Sequence, residues 1–199
     1  MSSSAETHAE RMRRLKAKQD AEVRSRKEKR GVVVVNTGDG KGKSSSAFGV
    51  AVRAIGHGQR VAIVQFIKGT WKTGEGQFFD RFPEVTRIVS GDGFTWETQD
   101  RDQDIASAER GFEAARNLIA AGEHDVVILD EINVAAKHGY LKPEAIAEVL
   151  RAKPEHVSII VTGRGAHPAV IEAADTVTEM RLVKHAYQAG IRARKGVEF

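Results

Sequence analysis

The chain has 199 residues, 41% hydrophobic and 6% aromatic, which is enough apolar material for one globular domain with a proper core and too little for two. It contains no cysteine, so disulfides, zinc-thiolate sites and an intrinsic thiol redox centre are excluded. The formal net charge of +4 is uneven: residues 1–30 hold ten Lys or Arg against five Asp or Glu, whereas the remaining 169 residues carry 21 against 22.

The N-terminus has no apolar targeting core, and no later window approaches the ~20 apolar residues of a membrane span, so a cytoplasmic protein without a membrane partner is expected. Residues 1–30 form a basic arm in which Met12, Leu15, Gln19 and Val23 fall at roughly helical spacing. Such an arm is either a solvated tail or a helix that orders over an anionic ligand or a partner subunit. The near-neutral charge of the rest speaks against nucleic acid as a partner.

From Gly31 to the end the pattern predicts a single α/β domain, residues 31–199. "GVVVVN" reads as a strand covered on both faces, and "SSSAFGVAVRAIGHG" as a helix opened by serines and closed by glycines. "RVAIVQF" is a second buried strand and "EVTRIVS" a weaker one. The segment "TQDRDQDIASAERGFEAARNLIAAGEH" has helical periodicity, with Ile105, Ala108, Phe112, Ala115 and Ile119 along one face. "DVVILDE", "HVSIIVTGR" and "ADTVTEMR" are further strands, and "KPEAIAEVLRAK" is a helix. Alternation of this kind predicts a mainly parallel twisted sheet with helices on both faces, a RecA-like P-loop NTPase-type fold.

In such sheets ligands gather at the carboxyl ends of the strands. "NTGDGKGKS", "LDE", "TGRGAH" and the region around "QFIKGTW" all fall there. The first of these lies between a buried strand and a helix, as a phosphate loop requires, but its spacing is altered. The common pattern G-x-x-x-x-G-K-[ST], counted back from Gly42, Lys43 and Ser44, puts Thr37 where the first glycine belongs, and starting at Gly38 leaves the loop one residue short.

Gly38, Gly40 and Gly42 allow backbone amides to turn inward on an anion. Lys43 is placed to neutralise phosphate, Lys41 adds a second positive charge, and the Ser44 hydroxyl is suited to Mg²⁺. Asp130 and Glu131 leave a buried strand and are available to the same metal, unless they only cap the next helix. Arg164 can grip a phosphate with its planar fork, or form a structural salt bridge. The histidines show no zinc-ligand spacing, and His167 draws notice only because it lies close to Arg164.

These residues support an Mg²⁺-nucleotide site without choosing a reaction; a small-metabolite kinase or NTPase and a RecA-like nucleic-acid-binding ATPase both stay open. Neither accounts for the short loop or for "SGDGFTWETQD", which places Phe94 and Trp96 two residues apart in an acidic, glycine-flanked loop. Such a pair is a small local core or a platform for a large flat ligand.

Together, "NTGDGKGKSS", "GFTWETQD", "VVILDEIN" and "TGRGAHPAVIEAADTVTEMRLVKHAYQAGIRARKG" resemble the P-loop family of ATP:corrinoid adenosyltransferases, over nearly the whole chain. The resemblance implies transfer of the 5′-deoxyadenosyl group of ATP to Co(I) of a reduced corrinoid, cob(I)alamin or cob(I)yrinic acid a,c-diamide, with release of triphosphate. It implies a nucleotide-binding set of Gly38, Asp39, Gly40, Lys41, Gly42, Lys43, Ser44, Ser45 and Arg164. The metal, Mg²⁺ or Mn²⁺, would be held by Ser44 and Glu131 with Asp130 beside them.

In the same resemblance ATP is bound in the reverse sense to ordinary P-loop enzymes. Phe94 and Trp96 would pack on the corrin and displace its lower axial ligand, easing reduction of Co(II) by an external flavin-type reductant. Lys41, Lys43 and Glu131 complete the set that acts in the reaction. A homodimer is implied, with the basic arm closing over the site.

Overall fold

In the computed structural model, which describes residues 7–67, 73–90 and 100–198, six strands form one sheet in the order β3-β2-β4-β5-β1-β6. They are β1 (Val33–Thr37), β2 (Val61–Gln65), β3 (Val85–Val89), β4 (Val126–Asp130), β5 (Ser158–Thr162) and β6 (Thr176–Glu179). Every neighbouring pair is parallel. This is the α/β architecture that the alternating pattern predicts.

The helices are α1 (His8–Ser25), α2 (Lys43–Gly56), α3 (Gly74–Phe79), α4 (Arg101–Ala121), α5 (Ile132–Lys137), α6 (Pro143–Arg151) and α7 (Pro168–Glu172), with a 3₁₀ turn at Ala186–Ala189. Successive strand residues face opposite ways, so each central strand feeds two cores. Val33, Val35, Ala62, Val64, Val127, Leu129, Ile159 and Val161 pack with α4, α5, α6 and α7. Val61, Ile63, Val126, Ile128 and Ile160 pack on the other face with Phe48 of α2 and Phe79 of α3, whose rings meet edge to face at 5.6 Å. The stripe predicted on α4 faces the first core: Ala108, Ala115 and Ile119 are buried, and Ile105 and Phe112 pack against it partly buried.

The start of α2 corrects one sequence expectation. The serines do not open the helix; it begins at Lys43, and its N-cap is Gly42 at φ 107°, without a side-chain cap. A left-handed φ at that position favours glycine, and it places Lys43 and Ser44 in the first helical turn. Within that turn the Ser46 hydroxyl donates to the Lys43 carbonyl at 2.9 Å and accepts from Asn36 of β1 at 2.8 Å.

Helix α1 is closed at its start by a reciprocal pair, Thr7 with Glu10. None of its residues is buried, and Met12, Leu15 and Val23 are exposed. The apolar stripe of the arm is therefore real as a helical face and uncovered in this chain.

Candidate functional site

Because all six strands run the same way, their carboxyl ends lie along one edge of the sheet, and the strand order decides which meet. β5 lies between β1 and β4, with Asn36 opposite Thr162. Gln65 of β2 stands opposite Asp130 of β4. The loop after β1, the carboxylates at the end of β4 and the Gly163-Arg164-Gly165 turn after β5 are thereby neighbours, and Thr37 accepts a hydrogen bond from Ala166 N at 3.1 Å.

The phosphate-loop lysine is at the centre of this group. Lys43 is only 6% exposed, and its ammonium donates to the Gly40 carbonyl at 2.6 Å. Burial pushes its pKa below the ordinary lysine value; the Glu131 carboxylate opposes that shift, the Arg164 guanidinium adds to it, and Asp39 and Lys41 act in the same opposed way at smaller strength. Five of the residues singled out in the sequence thus share one electrostatic site. Lys41 is exposed and forms an ion pair with Glu198.

The loop is strapped from below by the segment that follows β6. Gly40 N donates to the Met180 carbonyl at 2.6 Å, and a Cβ on Gly40 would lie 2.7 Å from the Arg181 carbonyl oxygen. This glycine is required by its own protein backbone before any ligand is considered.

The two carboxylates at the end of β4 differ sharply. Asp130 is 0% exposed and accepts from the Thr162 hydroxyl at 2.8 Å and from Gln65 Nε2 at 3.2 Å. Glu131 has φ 64°, and among the described residues it is the one non-glycine residue at positive φ. It occupies the N-cap position of α5 without making a side-chain cap, so helix capping does not explain it. Its backbone N–H donates to the same Thr162 hydroxyl at 2.9 Å. Strain of this kind at an acidic residue is characteristic of a functional position.

Ser44 is half-buried next to Lys43, Ser45 and Asp39 are exposed, and Arg164 is exposed in its glycine turn. His167 caps α7, accepting from Ala169 N at 3.3 Å, which is a structural role. Phe94 and Trp96 lie outside the described residues.

Three contributors escaped the sequence reading. Thr162 was one more polar residue at a strand end, the strap at Met180 and Arg181 looked like chain following a strand, and Glu198 is 157 positions from its partner Lys41. The run "IIVTG" carries a weak signal, since a threonine closing a fully apolar strand beside an acidic one invites a buried hydrogen bond.

A glycine-rich loop leading into a helix, a buried lysine beside it and a carboxylate at the end of the strand one place beyond the loop strand's neighbour define a P-loop nucleotide-binding protein of the α/β class. The family described as ATP:corrinoid adenosyltransferase BtuR/CobO/CobP matches residues 29–199, and cob(I)alamin adenosyltransferase N terminal matches residues 1–23. The chain belongs to the ATP:corrinoid adenosyltransferase family.

The corrinoid adenosyltransferase of Pseudomonas aeruginosa is 55% identical over 193 residues, covering 96% of this chain and 95% of that protein. The corrinoid adenosyltransferase of a Sinorhizobium species is 44% identical, covering 96% and 91%. The corrinoid adenosyltransferase of Escherichia coli K12 is 41% identical, covering 98% and 100%.

Proposed function

We propose that this chain carries out the family's reaction, ATP-dependent adenosylation of a reduced corrinoid, at the strand ends where Lys41, Lys43, Glu131 and Arg164 converge. What supports the placement is the strand order, which sets the loop after β1 with its buried Lys43, the end of β4 and the Arg164 turn after β5 along one edge of the sheet. In the reaction the electron pair of Co(I) forms the bond to the ribose 5′-carbon, the carbon–oxygen bond breaks, and its pair leaves on triphosphate. No proton has to be removed from the nucleophile, so the site needs anion stabilisation more than a general base.

Lys43 and Lys41 hold the triphosphate and take up the charge that grows on it as it leaves. Arg164, in the glycine turn after β5, adds a planar donor set for a phosphate. The donors fit Mg²⁺: a half-buried serine hydroxyl follows Lys43, and the strained Glu131 turns its carboxylate charge onto the same lysine. Ser44 and Glu131 would hold the ion, which would supply further charge neutralisation to the leaving group.

The finer parts of the reading are that Phe94 and Trp96 meet the corrin, that an external flavin-type reductant supplies the electron, and that α1 closes over the site. The exposed apolar face of α1 supports the last of these. The setting it implies is a cytoplasmic homodimer; among the described residues no helix is long and apolar enough to cross a membrane.

The test mixes the protein with ATP, Mg²⁺ and chemically reduced cobalamin. The corrin spectrum should change to that of an alkyl-cobalt product with one triphosphate released for each. ADP or orthophosphate as the main nucleotide product would overturn the reading.

A further inference from the structure

We propose that Thr162 is a positioning residue for the nucleotide-bound metal, acting through Glu131. The proposal rests on the metal role of Glu131 given above. Its basis is one hydroxyl with two assignments: Thr162 Oγ1 donates to Asp130 Oδ1 at 2.8 Å and accepts from the Glu131 backbone N–H at 2.9 Å.

The strand order makes this possible. β5 separates the phosphate-loop strand from the carboxylate strand, so its last residue stands beside the end of β4. Thr162 is fully buried there, as is Asp130, and the nearly buried Gln65 holds the other oxygen of Asp130 through Nε2 at 3.2 Å. Asp130 is therefore gripped from both neighbouring strands.

Glu131 follows directly, in a left-handed conformation that is strained for a non-glycine residue. The hydrogen bond from its N–H to Thr162 helps to hold that conformation, and the conformation decides where the Glu131 carboxylate lies relative to Lys43. Threonine is suited to the task because a hydroxyl donates and accepts at once. Valine has the same shape and can do neither.

Thr162→Val leaves the Asp130 carboxylate without one donor and the Glu131 N–H without its acceptor. Glu131 can then relax towards an ordinary φ, withdrawing its carboxylate from the metal. The phosphate loop itself, held by the Met180 carbonyl, is untouched.

The experiment measures ATP binding by calorimetry with Mg²⁺ and again with the metal removed, alongside a melting curve. Thr162→Val should weaken binding of Mg²⁺ with ATP about tenfold, in the range expected when the support of a metal ligand is lost. Metal-free ATP binding should stay within about twofold, and Thr162→Ser, which keeps the hydroxyl, should resemble the parent protein. In a Glu131→Gln background Thr162→Val should add little, since the two changes act through one group.

Equal weakening with and without metal, no change in either, or Thr162→Ser behaving like Thr162→Val would each overturn the assignment. If Thr162→Val does not fold, Thr162→Ala removes the same oxygen with less bulk and is read identically. Adenosylation of cobalamin by the parent protein is scored separately, so failure here is distinguishable from failure of the proposed reaction.

Discussion

Lys43 shows how burial and charge compete at one residue. Its ammonium is nearly out of water, held by the Gly40 main-chain carbonyl, and burial lowers its pKa more than Glu131 and Asp39 raise it. Without ligand, the unfolded chain binds this proton more tightly than the folded one. Stability therefore rises with pH between the lowered pKa and the ordinary 10.5. Nucleotide binding has the opposite sign, because the triphosphate needs the ammonium. ATP affinity should fall as the pH rises towards 10.5, earlier than for an exposed lysine. Lys43→Ala should bind ATP about 10- to 100-fold more weakly and lose most of that pH response, as titration calorimetry at several pH values would show. An unchanged alkaline slope in the variant would assign the effect to another group.

At the scale of an element, β1 is held at both ends by residues distant in sequence. Its exit is tied to Ala166 through Thr37, and its entry to Asp175. Asp175 accepts from Val33 N at 2.8 Å and from two nitrogens of Arg30 at 3.0 and 2.6 Å. The Arg30 hydrogen bond, then the Val33 N–H, pull its pKa down from 3.8 to about 2. A depressed carboxylate contributes stability that is present above its unfolded pKa and lost as pH falls through its folded one. The protein should lose stability between about pH 4 and pH 2. Asp175→Asn should cost roughly 1 kcal/mol at neutral pH, a modest figure because the arginine is substantially exposed, and should flatten the acid limb. Urea midpoints at pH 7, 4 and 2.5 check both parts, and parallel acid limbs would show that Asp175 is not responsible.

For the whole molecule, the arm is the part whose role packing within the chain does not explain. Helix α1 is capped and amphipathic yet buries nothing. Removing residues 1–25 should therefore move the melting temperature by no more than about 2 °C, as for surface changes generally. Corrinoid turnover should fall much more than ATP affinity, if the helix closes over the site. Turnover equal to that of the full chain would return the arm to a solvated tail. The strap at Met180 and the ion pair of Glu198 with Lys41 lie at the opposite end of the chain, so the C-terminal segment bears on a site whose centre is built from strand ends.

Local pattern alone determined much of this protein. Unbroken β-branched runs alternating with helical periods meant a parallel sheet covered on both faces, and a glycine-lysine loop between strand and helix meant a nucleotide. The short range of those signals also explains what they missed: α5 and α7 are too short to show a period, and the serines of α2 suggested a cap where Gly42 provides it. Only the tertiary structure decided that β5 lies between the loop and the carboxylates, which makes Thr162 the neighbour of Asp130 and Glu131. It also decided that Gly40 is demanded by the backbone at Arg181, and that Asp130 and Glu131, adjacent in sequence, have different surroundings. The physical reason is the same in each case. Strand order and register bring together residues tens to more than a hundred positions apart, and no local spacing records which of them will share a hydrogen bond.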